Sequence, residues 1–137
     1  MIGVLSRAFL PPALLVLAQL GLLRIGIYEH FPWFDIPMHF LGGAAVAAAY
    51  HRIFSFLETT SRIRPMDRWV RVLLVWGCLT VTAVLWEFME FAGDSWMGVR
   101  TQLGLANTMQ DLAVGMTSGL LTAILLRNRE LGRRPPV

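Results

Sequence analysis

Four apolar stretches dominate this chain of 137 residues. Each is close to the roughly 20 residues that a helix needs to cross a ~30 Å hydrocarbon core. They run from about Ala8 to Tyr28, Ile36 to Leu57, Trp69 to Phe91 and Thr108 to Leu126. A chain in lipid has no water to satisfy its backbone, and a helix pairs its N–H and C=O groups within one segment. The fold expected is therefore all-α: a polytopic membrane protein with four transmembrane helices in one bundle, a single domain over residues 1–137. Composition agrees, because charged residues make up 15%, against roughly 25% in soluble domains. No internal repeat, low-complexity segment or long linker interrupts the pattern. The single Cys78 excludes an intramolecular disulfide and a cysteine-rich metal site.

The first stretch follows Arg7, as a signal peptide would, but no small-x-small cleavage site follows it and its apolar run is long. It reads as a retained anchor, with Pro11 and Pro12 near its start, where a helix tolerates proline best. All 12 basic residues are arginines. Arg7, Arg52, Arg62, Arg64, Arg68, Arg71, Arg127, Arg129, Arg133 and Arg134 fall on one side of the expected bundle, and only Arg24 and Arg100 on the other. This bias predicts both termini in the cytoplasm, which for a bacterial protein means a place in the inner membrane. Topology thus accounts for the arginines, and nucleic acid is not an expected partner. Met38, Met66, Met89, Met97, Met109 and Met116 read as packing residues.

The acidic residues are distributed otherwise. Glu29, Asp35, Glu87, Glu90, Asp94 and Asp111 fall in the outer half with His30 and His39, leaving Glu58, Asp67 and Glu130 at the arginine side. Thr80, Ala83, Glu87, Glu90 and Asp94 follow helical steps of three and four, and so form one stripe. Asp35, His39, Gly42, Val46 and Ala49 do the same on the second span. Asn107, Asp111, Gly115 and Gly119 do so on the fourth if its helix begins by Asn107. Small residues let membrane helices approach closely, so these stripes should face one another and bring their polar ends together. Glu87 lies about 10 Å deeper than Asp94 along a helix rising ~1.5 Å per residue. An ionised acid there costs on the order of 2.5–3.5 kcal/mol. A bound cation, a proton or a partner such as Arg24 must offset that cost. Taken singly, Asp35 and Asp94 fit solvated helix ends, Asp111 an acid at a helix N-terminus, and His39 a buried hydrogen-bonded histidine. The pair Glu87 and Glu90 is harder to explain that way.

The segments Asp35-x-x-x-His39-Phe40-x-Gly42-Gly43, Trp86-Glu87-x-x-Glu90 and Asn107-Thr108-Met109-x-Asp111-Leu112 resemble the YjdF-type bacterial membrane proteins. In pattern these are similar to VanZ-like proteins. The resemblance covers about Asp35 to Leu126 and implies a polytopic protein of the cell envelope, without an assigned reaction. Asn107 stands where the family pattern has an acid, so this position is not read as a metal ligand.

Three functions remain open on the sequence. The first is an enzyme dependent on a divalent metal, with His39, Glu87, Glu90 and Asp111 as ligands or catalytic groups. The carboxylate-rich set suits Mg, Mn or Ca better than a structural Zn. Its substrate would be a membrane lipid or a lipid-linked envelope precursor, contacted by Arg24, Asp35, Asp94, Arg100 and Asn107. The second is proton- or cation-coupled transport through intramembrane carboxylates, for which a homodimer would give more room than four spans. The third is a structural membrane subunit whose acids join helices.

Overall fold

The computed structural model describes residues 2–98 and 101–131. Within them the chain is all-helical, and four helices are long and apolar enough to cross a membrane. The first, α1, is Ile2–Arg24. A one-turn helix, α2 (Ile27–His30), and a 3₁₀ turn at Pro32–Phe34 lead into α3, Asp35–Thr59. The remaining helices are α4 (Arg68–Met97) and α5 (Leu105–Leu131). Because α5 starts at Leu105, Asn107 and Asp111 lie on one continuous helix, as the four-residue spacing requires.

The first helix differs from the sequence reading at both ends. It closes at Arg24, because Gly26 adopts the left-handed conformation (φ 70°) and turns the chain. Tyr28 therefore sits on α2, and its hydroxyl donates to the Gln19 side chain of α1. The helix also starts earlier, so Pro11 and Pro12 lie in its interior and not in its first turn. Proline 11 has no N–H for the carbonyl four residues back, that of Arg7. Arg52 of α3 donates to this carbonyl through Nη1 at 3.4 Å. A neighbouring helix thus satisfies the freed group, as membrane helices with internal proline require.

Helix α3 packs most extensively on α5, and α4 packs on both, while α1 lies along α3 and barely touches α4 or α5. Close approach of α3 and α5 depends on Gly43: a Cβ there would collide with the Gly115 carbonyl and the Ser118 hydroxyl. Gly42 has no such neighbour, so the contact glycine is one residue beyond the one in the expected stripe. Gly119 does the same against the Leu79 side chain of α4. Hydrogen bonds fasten these contacts. Ser118 Oγ donates to the Phe40 carbonyl at 2.7 Å, and Trp76 Nε1 to the Met116 carbonyl at 3.1 Å. Tyr50 and Thr82 join α3 to α4 through their hydroxyls, 3.0 Å apart.

Two contrasting halves result. Ala47, Val72, Val75, Leu79 and Ala123 form a buried apolar core, flanked by Phe54 and Trp76. Beyond it lies the arginine end, where Arg71 pairs with Glu58 and the Arg127 guanidinium stacks over the Trp69 ring at 3.7 Å. Asp67 caps α4 by accepting from the backbone of Trp69 and Val70. These two N–H donors hold its carboxyl below the usual carboxylate range. The outer surface carries Leu14, Leu17, Leu73, Leu85, Phe88 and Leu125, all exposed, as a lipid-facing surface would. Acidic residues and His39 gather at the other end.

Candidate functional site

Three helices supply the site. Asp35 opens α3 and His39 follows one turn later, so both side chains share a face. Helix α4 contributes Glu87 and Glu90, and α5 contributes Asp111. The Gly43–Gly115 approach sets the spacing, since the His39 carbonyl lies 3.5 Å from where a Cβ on Gly115 would be.

His39 is the centre. Its Nε2 lies 3.5 Å from Asp35 Oδ1 and 4.0 Å from Asp111 Oδ2, while its Nδ1 lies 3.9 Å from Glu87 Oε1. Asp35, His39 and Asp111 present donor atoms within 4.8 Å of one another, and so do His39, Glu87 and Glu90. Three acids therefore flank one imidazole, Asp35 and Asp111 at Nε2 and Glu87 at Nδ1. Asp111 is 2% exposed and Glu87 4%. Glu87 Oε2 and Asp111 Oδ1 are buried without a hydrogen-bond partner.

Charge makes this arrangement costly. Four carboxylates and one imidazole carry a formal charge between −4 and −3 if every acid is ionised. Two like charges at this separation repel by about 3–4 kcal/mol at an effective dielectric of ~20. The protein compensates in part, with neutral donors: Trp86 Nε1 donates to Glu90 Oε1 at 2.8 Å, Asn107 Nδ2 to Asp35 Oδ2 at 3.4 Å, and the Thr108 and Gln102 side chains stand beside the Glu87 carboxyl. Arg24 closes α1 exposed and makes no ion pair with the cluster. Such a set of oxygens with one nitrogen has the donor chemistry of a hard divalent cation.

The other residues singled out in the sequence divide. Asp35 stands among the potential ligands themselves. Asn107 supports Asp35, and its Oδ1 accepts from the Leu103 backbone at 3.1 Å. Asp94 lies apart and organises the α4–α5 connection. It accepts from Thr101 N and Gln102 N, both at 2.8 Å, and from Thr101 Oγ1 at 2.6 Å. Arg100 lies outside the described residues. Two contributors were given no role from the sequence, although Trp86 stands in one of the motifs quoted above. Trp86 fixes Glu90, and its i,i+4 spacing was available as a signal. Gln19 is a buried polar residue on α1, whose facing direction no polar stripe marks.

A cavity of about 220 Å³ adjoins the cluster. His39, Glu87 and Asp111 line it at one end, and Phe9, Leu15 and Val46 are among the apolar residues lining the rest. It lies where α1 and α4 face each other without packing closely.

No curated protein and no solved structure matches the chain. One family model does, over residues 8–130, which include every helix that contributes to the site. By that match the chain belongs to the family described as "Predicted membrane protein (DUF2238)", which is YjdF-like.

Proposed function

We propose that the cluster binds a divalent cation and that the protein is a metal-dependent enzyme acting on a lipid of the bacterial cell envelope. The observation that carries this reading is a pair of buried oxygens without partners, Glu87 Oε2 and Asp111 Oδ1, on carboxylates whose other oxygens lie 3.9 and 4.0 Å from the two ring nitrogens of His39. Leaving two such acceptors unsatisfied costs on the order of 1–3 kcal/mol each, more when they are charged. A cation repays both and removes the mutual repulsion. His39, Glu87, Glu90, Asp111 and Asp35 are the residues able to hold it. One imidazole gives one nitrogen to an ion, and the carboxylates beside its other nitrogen would then fix the ring, as such partners commonly do. A divalent ion here would polarise a phosphoryl oxygen or lower the pKa of a bound water. A carboxylate not engaged in ligation is within reach to take the proton. The resemblance to VanZ-like proteins read from the sequence motifs would fit the same envelope role.

The excess of arginines at the opposite end favours that end as cytoplasmic, so the site would face the outer leaflet of the inner membrane. Coupled transport gains no support from the packing, because the buried apolar core fills the half between the cluster and the arginine end. The test is the metal content of purified protein, measured by mass spectrometry for wild type and Glu90→Gln after growth with added Mn²⁺ and without chelators. Near-stoichiometric metal in the wild type and its loss in the variant are expected. A wild type free of Mn, Mg, Ca and Zn would refute the metal reading.

A further inference from the structure

Two features meet at the cavity beside the cluster. Its walls follow α3 from His39 to Val46 and α4 from Glu87 back to Leu79. These seven and eight residue steps correspond to roughly 10–12 Å at ~1.5 Å per residue. Along that length polar atoms are few: Gln19 Oε1 accepts from Tyr28, the Thr82 hydroxyl meets Tyr50 and donates to the Cys78 carbonyl at 2.9 Å, and residues such as Phe9, Leu15, Val16, Val46 and Leu79 supply the rest. Hydrocarbon therefore lines the inner part. At the other end two carboxylates more than nine-tenths buried, Glu87 and Asp111, line the cavity with an oxygen each left unpartnered.

We infer that this cavity seats the aliphatic chain of a single-chain lipid phosphate, with its headgroup held at the Asp35–His39–Glu87–Glu90–Asp111 cluster. The assignment rests on the metal reading, because an anionic headgroup approaches these acids only through a cation. Moving a lipid chain from bilayer to protein gains little hydrophobic energy, since lipid tails are as apolar as the cavity wall. Affinity comes from the headgroup and its ion, and the cavity selects by shape. The loose contact of α1 with α4 gives the chain a lateral way in from lipid.

Gly42 provides the means of testing this. It lines the cavity, and a Cβ on it would meet nothing within 4 Å, in contrast to neighbouring Gly43. Gly42→Leu fills the chain seat while leaving the ligands and the α3–α5 contact in place. Ala83→Leu does so from the facing helix. Native mass spectrometry of detergent-solubilised protein with Mn²⁺ and decyl phosphate counts ion and lipid together. Wild type is expected to carry both. Gly42→Leu and Ala83→Leu should keep Mn²⁺ and lose decyl phosphate by roughly tenfold or more, as overpacking a filled site does. Decyl phosphate bound equally well by both variants, or not at all by Mn²⁺-loaded wild type, overturns the chain seat while the metal reading stands. Decylamine binding in place of Mn²⁺ overturns the phosphate assignment. Decyl phosphate retained without Mn²⁺, yet lost in both variants, overturns the headgroup placement at the cluster together with the metal reading and leaves the chain seat alone supported.

Discussion

Histidine 39 has a carboxylate near each ring nitrogen, and this makes the effect of single substitutions depend on metal. Without metal, Glu87→Gln removes one of the repelling charges and keeps a hydrogen-bonding amide. We expect the metal-free variant to be more stable than metal-free wild type by about 1 kcal/mol or more, part of the repulsion between such charges. With Mn²⁺ at a hundred times its dissociation constant, wild type should gain about 2.7 kcal/mol from binding, and the variant much less. Thermal unfolding in detergent, with and without Mn²⁺, reads the reversal of order; an unchanged order contradicts it. Asp67 gives a pH prediction away from the membrane interior. Its carboxyl is held low by the Trp69 and Val70 N–H groups. Its capping contribution is therefore fully present above the ordinary carboxylate value and is lost as pH falls through the depressed one. Protection of the Trp69 and Val70 amides, their exchange relative to an unstructured peptide at the same pH, should fall in that acid range, and an Asp67→Ala variant should show the lower protection already at neutral pH. The sequence made the polar group legible because Glu87–Glu90, Asp35–His39 and Asn107–Asp111 keep helical spacing. Which acid does what was not legible. Asp35 joins the ligand atoms and Asp94 binds the Thr101–Gln102 backbone, a distinction that depends on where the loop returns.

At the scale of helices, the α3–α5 contact determines whether the site exists. Gly43→Ala would press a methyl against the Gly115 backbone carbonyl, which has no flexible end to move aside. We expect it to cost about 1–3 kcal/mol by overpacking and to weaken Mn²⁺ binding, because His39 and Asp111 move apart with the helices. Gly42→Ala, one residue away, should leave both properties within error of wild type. Equal effects at the two positions, measured by unfolding and by Mn²⁺ titration, would contradict this packing. The existence and number of long helices could be read from apolar runs, because span length is fixed by bilayer thickness. Boundaries were less accessible. Residues 25–28 are as apolar as the helix before them, and only Gly26 marks the turn. Pro11 and Pro12 look like a helix start in sequence, yet become interior residues because Arg52, distant in the chain, serves the carbonyl of Arg7.

For the whole molecule, the segregation of a carboxylate end from an arginine end underlies both the orientation and the function proposed above. In a Cys78→Ala background, Thr60→Cys should react with a membrane-impermeant maleimide only from the cytoplasmic side, and Trp96→Cys only from outside. The opposite pattern would put the site at the inner leaflet. The placement of α1 was the least readable part of the architecture. Its apolar surface shows no polar stripe, so its role as one wall of the cavity emerges only from packing on α3. The most direct measurement is pulsed electron paramagnetic resonance of Mn²⁺ bound to protein labelled with ¹⁵N-histidine. Hyperfine coupling to one imidazole nitrogen, absent in His39→Gln, is the expected result. Bound Mn²⁺ with no nitrogen coupling, or no bound Mn²⁺ at all, would contradict a metal centre built around His39.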